Sequence, residues 1–403
     1  MRISQIDLLS SSSGVTLEGC FCFQDDMEKR RGKMATFDDL VQEKANLLAA
    51  RMTTLTSEDV HWEGDGSSDQ LKKQGFFPRD FGMAFWDWPQ GVGLFGLARL
   101  QGNPYDHFIR NWAKKRISQG LPMRNINTTV PMLTLSAYPE YEKMALDWAT
   151  DIYTKFPRTA EGGLEHFTTG ADKNSISRNP GQLWADTIFM TVLFLAKMGQ
   201  STGNEQWLEE ANYQTLLHIK YLLDPATGLF SHGWDFNQRN NLGKTFWGRG
   251  NCWLAYGLPL YLEMVGPTLA PAESRYLEVV ISNQLRALFA LQSPEHLWHT
   301  LLDDSSSYIE ASGSAGILAG TFLALRLGIL SDYYLDQAQA GLRALLGNVD
   351  EQGILHHVSA GTSLTDDRSA YKAIKQLPMA YGQALALCAC AEYLSYKGKD
   401  DGQ

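Results

Sequence analysis

The 403-residue chain contains no run of about eighteen apolar residues, the length a helix needs to cross a bilayer. Its opening residues, Met1-Arg-Ile-Ser-Gln-Ile-Asp7, lack the apolar core of a signal peptide, because Asp7 and the serines from Ser10 to Ser13 interrupt it. A cytoplasmic protein without membrane contact is therefore expected. Positive charge is also scarce. Against 45 Asp and Glu stand 35 Lys and Arg, a net charge of −10, which argues against nucleic acid and against an anionic membrane surface as partners. Cysteines are few and odd in number, five in all. Cys252, Cys388 and Cys390 fall in apolar helical runs, which fits a reducing compartment. The Cys-x-Cys pairs Cys20–Cys22 and Cys388–Cys390 are too closely spaced for an ordinary zinc site, so no metal is expected. Phosphate loops, dinucleotide fingerprints, His-Glu-x-x-His and Gly-x-Ser-x-Gly are missing as well. No Gly/Ser- or Pro-rich linker divides the chain.

What remains is one helix after another. Residues 1–35 are polar and serine-rich and read as an extension of uncertain structure, with Cys20 to Phe23 at most a short strand. Residues 36–403 read as a single domain. Apolar spacing predicts twelve helices, near 37–53, 88–102, 104–118, 127–137, 138–156, 180–199, 203–222, 251–265, 271–292, 312–328, 331–347 and 378–396. The loops carry a second regularity. Gly163-Leu-Glu-His166, Gly228-Leu-Phe-Ser-His232, Leu297-Trp-His299 and Gly353-Ile-Leu-His356 repeat a Gly–apolar–His theme about every 60 residues, once per two helices. Six helical hairpins of this kind close naturally into a ring, with one helix of each pair inside. The expected fold class is all-α, an (α/α)6 barrel; an open α-solenoid is the alternative.

The stretch from 179 to 199 organises the rest. Asn179 suits a helix cap, Pro180 the first helical position and Gly199 the end. Ile188 to Ala196 is almost wholly apolar, the mark of a buried helix. Asp186 stands on its threshold, about two turns past that cap, where the helix dipole does little for its charge. Burial raises a carboxyl pKa, as a general acid working near neutral pH requires. A structural carboxylate paired with a nearby Trp or His is the competing interpretation.

Four loops bear residues suited to sugar chemistry. Phe85-Trp-Asp-Trp-Pro-Gln-Gly-Val92 offers aromatic faces for sugar rings, although Asp87 also fits as the cap of the helix that Pro89 begins. Arg124-Asn-Ile-Asn-Thr-Thr-Val-Pro131 supplies Asn125 and Asn127, which can cap a helix or bind hydroxyls. His232, Trp234 and Asp235 share one loop, and a lone His is more often structural. In Trp247-Gly-Arg-Gly-Asn-Cys-Trp253 two glycines flank Arg249, whose planar fork suits a carboxylate or an internal salt bridge, for instance to Asp235. Glu310-Ala-Ser-Gly-Ser-Ala-Gly316 reads as a close-packing segment.

Together these elements resemble the unsaturated glycuronyl hydrolases, specifically the unsaturated rhamnogalacturonyl hydrolase group (glycoside hydrolase family 105, kin to family 88). The matching pieces are Trp86-Asp-Trp-Pro-Gln-Gly91, Gly162-Gly-Leu-x-His166, Gln182-Leu-Trp-Ala-Asp186 with Met190, Gly228-Leu-Phe-x-His-Gly-Trp-Asp235 and Trp247-Gly-Arg-Gly-Asn-x-Trp253. They run in family order over roughly 86–316. The resemblance implies an (α/α)6 barrel and release of a Δ4,5-unsaturated uronic acid from the non-reducing end of lyase-made oligosaccharides, without a cofactor. It makes Asp186 the acid–base, protonating C4 of the vinyl ether and then helping water add at C5. It makes Trp88, Asn127, His166, Gln182, His232, Trp247, Arg249 and Trp253 substrate-binding, with Arg249 and His232 candidates for the uronate carboxylate. Some relatives carry an assisting Asp where this chain has Asn127. The stretch between His166 and Gln182 is longer than the family pattern, and loop length there bears on the substrate. Monomer and homodimer both remain open. The rival interpretations are an inverting glycosidase with Asp87 or Asp235 as base, a sugar epimerase with paired cavity histidines, and a non-catalytic sugar-binding toroid.

Overall fold

The computed structural model describes residues 36–56, 80–170 and 176–400. Residues 1–35, and with them the Cys20–Cys22 pair, lie outside the described residues. The chain divides into two compact units, Met1–Leu40 and Val41–Gln403, and the second carries the features that follow.

Twelve principal helices occur among the described residues: α1 (Phe37–Thr54), α2 (Trp88–Ala98), α3 (Asp106–Ser118), α4 (Ile126–Leu135), α5 (Glu142–Lys155), α6 (Leu193–Thr202), α7 (Glu205–Leu222), α8 (Gly248–Val265), α9 (Pro271–Ala290), α10 (Ala311–Arg326), α11 (Leu335–Gly347) and α12 (Ala380–Asp400). The even-numbered helices form an inner ring. Each packs on the next, and α12 packs back on α2, so the ring is closed and the fold is an (α/α)6 barrel rather than an open solenoid. Sequence explains the sorting. Every residue of α10 from Ala311 to Leu325 is buried, as a helix apolar on all sides demands. Outer helices bury one stripe only, such as Ala145, Trp148, Ala149 and Ile152 of α5. The small residues of α10 serve packing: a Cβ on Gly320 would lie 2.0 Å from the Ala255 carbonyl oxygen of α8. No helix among the described residues is long and apolar enough to cross a membrane.

All six inner helices run the same way. At one end, residues from the starts of α2, α4 and α8 and the segment before α6 surround a common cavity. At the other end Arg99, Glu263, Arg326 and Glu392, from the ends of α2, α8 and α10 and from α12, form a charge quartet. Arg99 bonds Glu392 at 2.5 Å and Glu263 at 3.3 Å. Arg326 bonds Glu263 at 2.5 Å and Glu392 at 3.3 Å. The Tyr256 hydroxyl donates to Glu392 at 2.8 Å.

The loop repeat is real, but its register differs from the one read in sequence. After α5, α7, α9 and α11 the chain makes the same tight turn, closed by hydrogen bonds such as Asp224 N–H to Leu229 O, Ser293 N–H to Leu297 O and Asp350 N–H to Ile354 O. The residue that must adopt positive φ is Gly162, Gly228, His296 or Gly353, with φ between 62° and 80°. Counting from it, His166 and His232 are equivalent, and His299 and His356 each fall one position short. The latter two tie down their loops instead, His299 to the Ser307 carbonyl at 2.6 Å and His356 to Asp350 at 2.8 Å.

The stretch 179–199 also departs from expectation. Asn179 and Pro180 do not open a helix. Residues Gln182–Trp184 form a short strand, β3, paired antiparallel with β4 (Gly233–Asp235) in the register Leu183–Trp234. The helix starts after Asp186 with a π-turn, Ile188–Val192, and runs through Gly199 to a left-handed Gly203. Asp186 therefore stands at the helix N-terminus, its carbonyl accepting from Met190 N–H at 2.9 Å, and not two turns inside. A π-turn next to a candidate catalytic group is a common placement.

Candidate active site

The cavity at the open end of the ring measures about 250 Å3. Six of the nine residues singled out from the sequence line it: Trp88, Asn127, His166, Asp186, Trp247 and Arg249. His232, Trp253 and Gln182 stand behind that wall. His232 is buried with Nε2 3.7 Å from Asp186 Oδ2. Trp253 is fully buried, edge-on to Trp88 at 6.3 Å. Gln182 accepts from the Trp184 indole at 3.0 Å and donates to Asp235 at 3.3 Å.

Local structure fixes each side chain. Asp87 caps α2 through the Trp88 N–H at 2.9 Å, which leaves Trp88 at the helix start, its ring 4.5 Å from that of Tyr381. Asn125 caps α4, and Asn127 in its first turn donates to the Phe167 carbonyl at 2.9 Å. The Trp184 ring stacks on His166 at 4.0 Å, the two planes nearly parallel. Burial pushes the His166 pKa down to about 3 and holds His232 well below the ordinary imidazole value, so both rings are neutral at neutral pH.

Asp186 keeps 16 % of its side chain exposed to the cavity, and among the described residues it is the sole carboxylate in the lining. Burial raises its pKa to about 6. The Arg249 charge opposes the rise, as do its own backbone N–H and the nearby Trp253 indole, which makes no hydrogen bond of ordinary geometry. The two rival bases are occupied elsewhere. Asp235 takes the Asn237 and Gln238 N–H groups at 2.8 and 2.9 Å, and Asp87 serves as the helix cap.

Arg249 is buried and engaged within the chain. Its Nη1 donates to Ser312 Oγ, Ser359 O and Ser359 Oγ, and Nη2 to Ala360 O and Thr362 Oγ1. Its carboxylate partner is Glu310 at 3.7 Å, not Asp235. Glu310 in turn caps α10 and holds the Ser359 N–H. Arg249 thus binds the loop before α12 against the cavity, where Gly361, Thr362 and Ser363 complete the wall. Nothing in local spacing announces these three residues, because they arrive from a loop more than 100 residues downstream of Arg249. The long stretch after His166 forms β1 (Phe167–Thr169) and β2 (Ile176–Arg178), and Thr168, Thr169 and Gly170 join the lining. Among the described residues no cluster of His, Cys, Asp and Glu is placed to hold a metal ion.

This arrangement sits in a recognisable sequence context. The profile of Glycosyl Hydrolase Family 88 matches residues 72–397. The chain is 33% identical over 335 residues to the unsaturated rhamnogalacturonyl hydrolase YesR of Bacillus subtilis (strain 168), covering 79% of this chain and 93% of that protein. It resembles the crystal structure of a possible GH105 member from Salmonella enterica, with TM-score 0.79, 33% identity, and coverage of 90% of this chain and 95% of that one. A possible GH105 member from Klebsiella pneumoniae gives TM-score 0.78 and 34% identity, with coverage of 88% and 93%.

Proposed function

Because the chain belongs to glycosyl hydrolase family 88, we propose that it removes a Δ4,5-unsaturated uronic acid from the non-reducing end of lyase-made oligosaccharides, with unsaturated rhamnogalacturonan its substrate. It is a glycoside hydrolase. The observation that carries the chemical reading is that Asp186 is the one carboxylate in the cavity wall among the described residues. Direct displacement at an anomeric carbon uses two carboxylates flanking the bond. Hydration of a vinyl ether needs one. Asp186, protonated, delivers its proton to C4. The positive charge that develops at C5 is taken up by water, whose proton returns to the Asp186 carboxylate. The hemiketal then collapses, the ring opens and the aglycone leaves. A small cavity supports attack at a chain end rather than within a chain.

Trp88 and Trp247 serve as apolar platforms for the ring, Asn127 and His166 as neutral hydroxyl partners. Arg249 contributes its charge and the shape of the 359–363 wall. We assign the protein to the cytoplasm, with Val41–Gln403 as its catalytic body, acting as monomer or homodimer.

The test is direct. Given an unsaturated rhamnogalacturonan disaccharide, the enzyme bleaches the ultraviolet band of the conjugated C4=C5 bond. Robust cleavage of the saturated disaccharide, with no bleaching of the unsaturated one, overturns the reading. Acid catalysis also fixes the pH dependence. Asp186 must start protonated, so kcat/KM holds on the acid side and falls on the alkaline side of about pH 6, near tenfold per pH unit. A rate that rises through this range contradicts the assignment.

A further inference from the structure

Tyr371 lies on the five-residue helix Arg368–Lys372 in the loop between α11 and α12, and it is fully buried. Its hydroxyl is 2.7 Å from Nδ1 of His232. Among the described residues no other hydrogen bond of ordinary geometry reaches that oxygen. A buried phenol proton with no other acceptor in reach goes to Nδ1 of His232, so Nδ1 is the acceptor and Nε2 carries the ring proton. Rotation of the imidazole is blocked by Trp247 at 4.4 Å, Trp184 at 5.1 Å and Tyr371 at 5.8 Å. Nε2 then faces Asp186 Oδ2 at 3.7 Å, and among the described residues neither atom has another hydrogen-bond partner.

We propose that Tyr371 is a positioning residue of the hydration reaction: by donating to Nδ1 it fixes His232 as the Nε2–H tautomer and aims that N–H at the Asp186 carboxylate. The inference rests on the reading of Asp186 as acid–base. At 3.7 Å the contact is long for a hydrogen bond, and bonds of this type tighten when substrate is seated. Its use comes after C4 has taken the proton. The N–H then stabilises the carboxylate that must next accept a proton from water. The other groups acting on this pair are Arg249, Cys252 and Trp253 from α8, His166 beside His232, and Glu310 behind Arg249. None of them changes when the Tyr371 hydroxyl is removed.

In Tyr371→Phe the ring stays and the donor goes. Protein labelled with 15N in its histidines, with His232 assigned by its own substitution, shows an Nδ1 acceptor and an Nε2 donor in wild type. The variant loses that pattern. Its kcat falls about tenfold with KM within about twofold, the size of losing one hydrogen bond to a charged group. The alkaline limb of the pH profile moves upward, because a carboxylate deprived of a donor holds its proton more tightly. Should the variant not fold, 3-fluorotyrosine placed at 371 keeps the packing and strengthens donation, and the limb must then move downward. An unchanged His232 spectrum and an unmoved limb, with Asp186→Asn inactive, overturn this proposal alone. An active Asp186→Asn variant overturns the acid–base reading and this inference with it.

Discussion

In the Asp186→Asn variant, turnover of the unsaturated disaccharide falls about 10²–10⁴-fold, the usual worth of a positioned general acid–base. The same variant gains stability above pH 6. The Asp186 pKa is about 6 in the fold against 3.8 for an ordinary Asp. A carboxyl that holds its proton more tightly when folded favours the fold only while protonated. That advantage is complete below about pH 4 and is lost as pH rises through 6. Above that point the buried charge costs the wild type up to about 3 kcal/mol, which neutral Asn does not incur. Activity assays and thermal unfolding at pH 7.5 on one preparation check both halves. If activity survives, or if stability drops instead, Asp186 is a structural group paired with Trp253 or His232.

The second large effect lies at the far end of the barrel. Glu392 is wholly buried and accepts from Arg99, Arg326 and Tyr256. Glu392→Gln leaves two arginines sharing Glu263, which is 27 % exposed. Removing one partner from a buried ion network costs about 3–5 kcal/mol, because the charge left behind stays desolvated. Denaturant unfolding reads this loss directly. Catalysis at 25 °C is unaffected, since the quartet shares no residue with the cavity wall. A loss below about 1 kcal/mol means that water reaches the arginines and the network is worth no more than a surface pair.

Much of this architecture is written in local patterns. Apolarity on every side marks α8 and α10 as inner helices, and stripes mark the outer ones. Asp87 and Asn125 act as the helix caps their neighbours suggest. Failures occur where a short-range signal competes with a long-range partner. Asn179-Pro180 has the chemistry of a helix start, but Gln182–Trp184 is claimed by β4 some fifty residues away, and a three-residue strand is too short to show a period of two. Short spacing offers Asp235 as the Arg249 partner, but the partner is Glu310, brought in by the next inner helix. Tyr371 and Thr362 carry no motif; the loop that holds them is drawn to the cavity by Arg249 and His232 themselves.

The common direction of the inner helices has an electrostatic consequence. Six helix N-termini converge on the mouth, each equivalent to about half a positive charge, with Asp87, Asn125 and Glu310 capping three of them. The basic side chains Arg99 and Arg326 gather at the opposite end, against the carbonyl termini. A protein of net charge −10 thereby presents an anionic sugar with a locally attractive entrance, built from backbone rather than lysine. Capture of an acidic oligosaccharide should then depend only mildly on ionic strength, because the attraction works at short range inside a sheltered funnel rather than across open solvent.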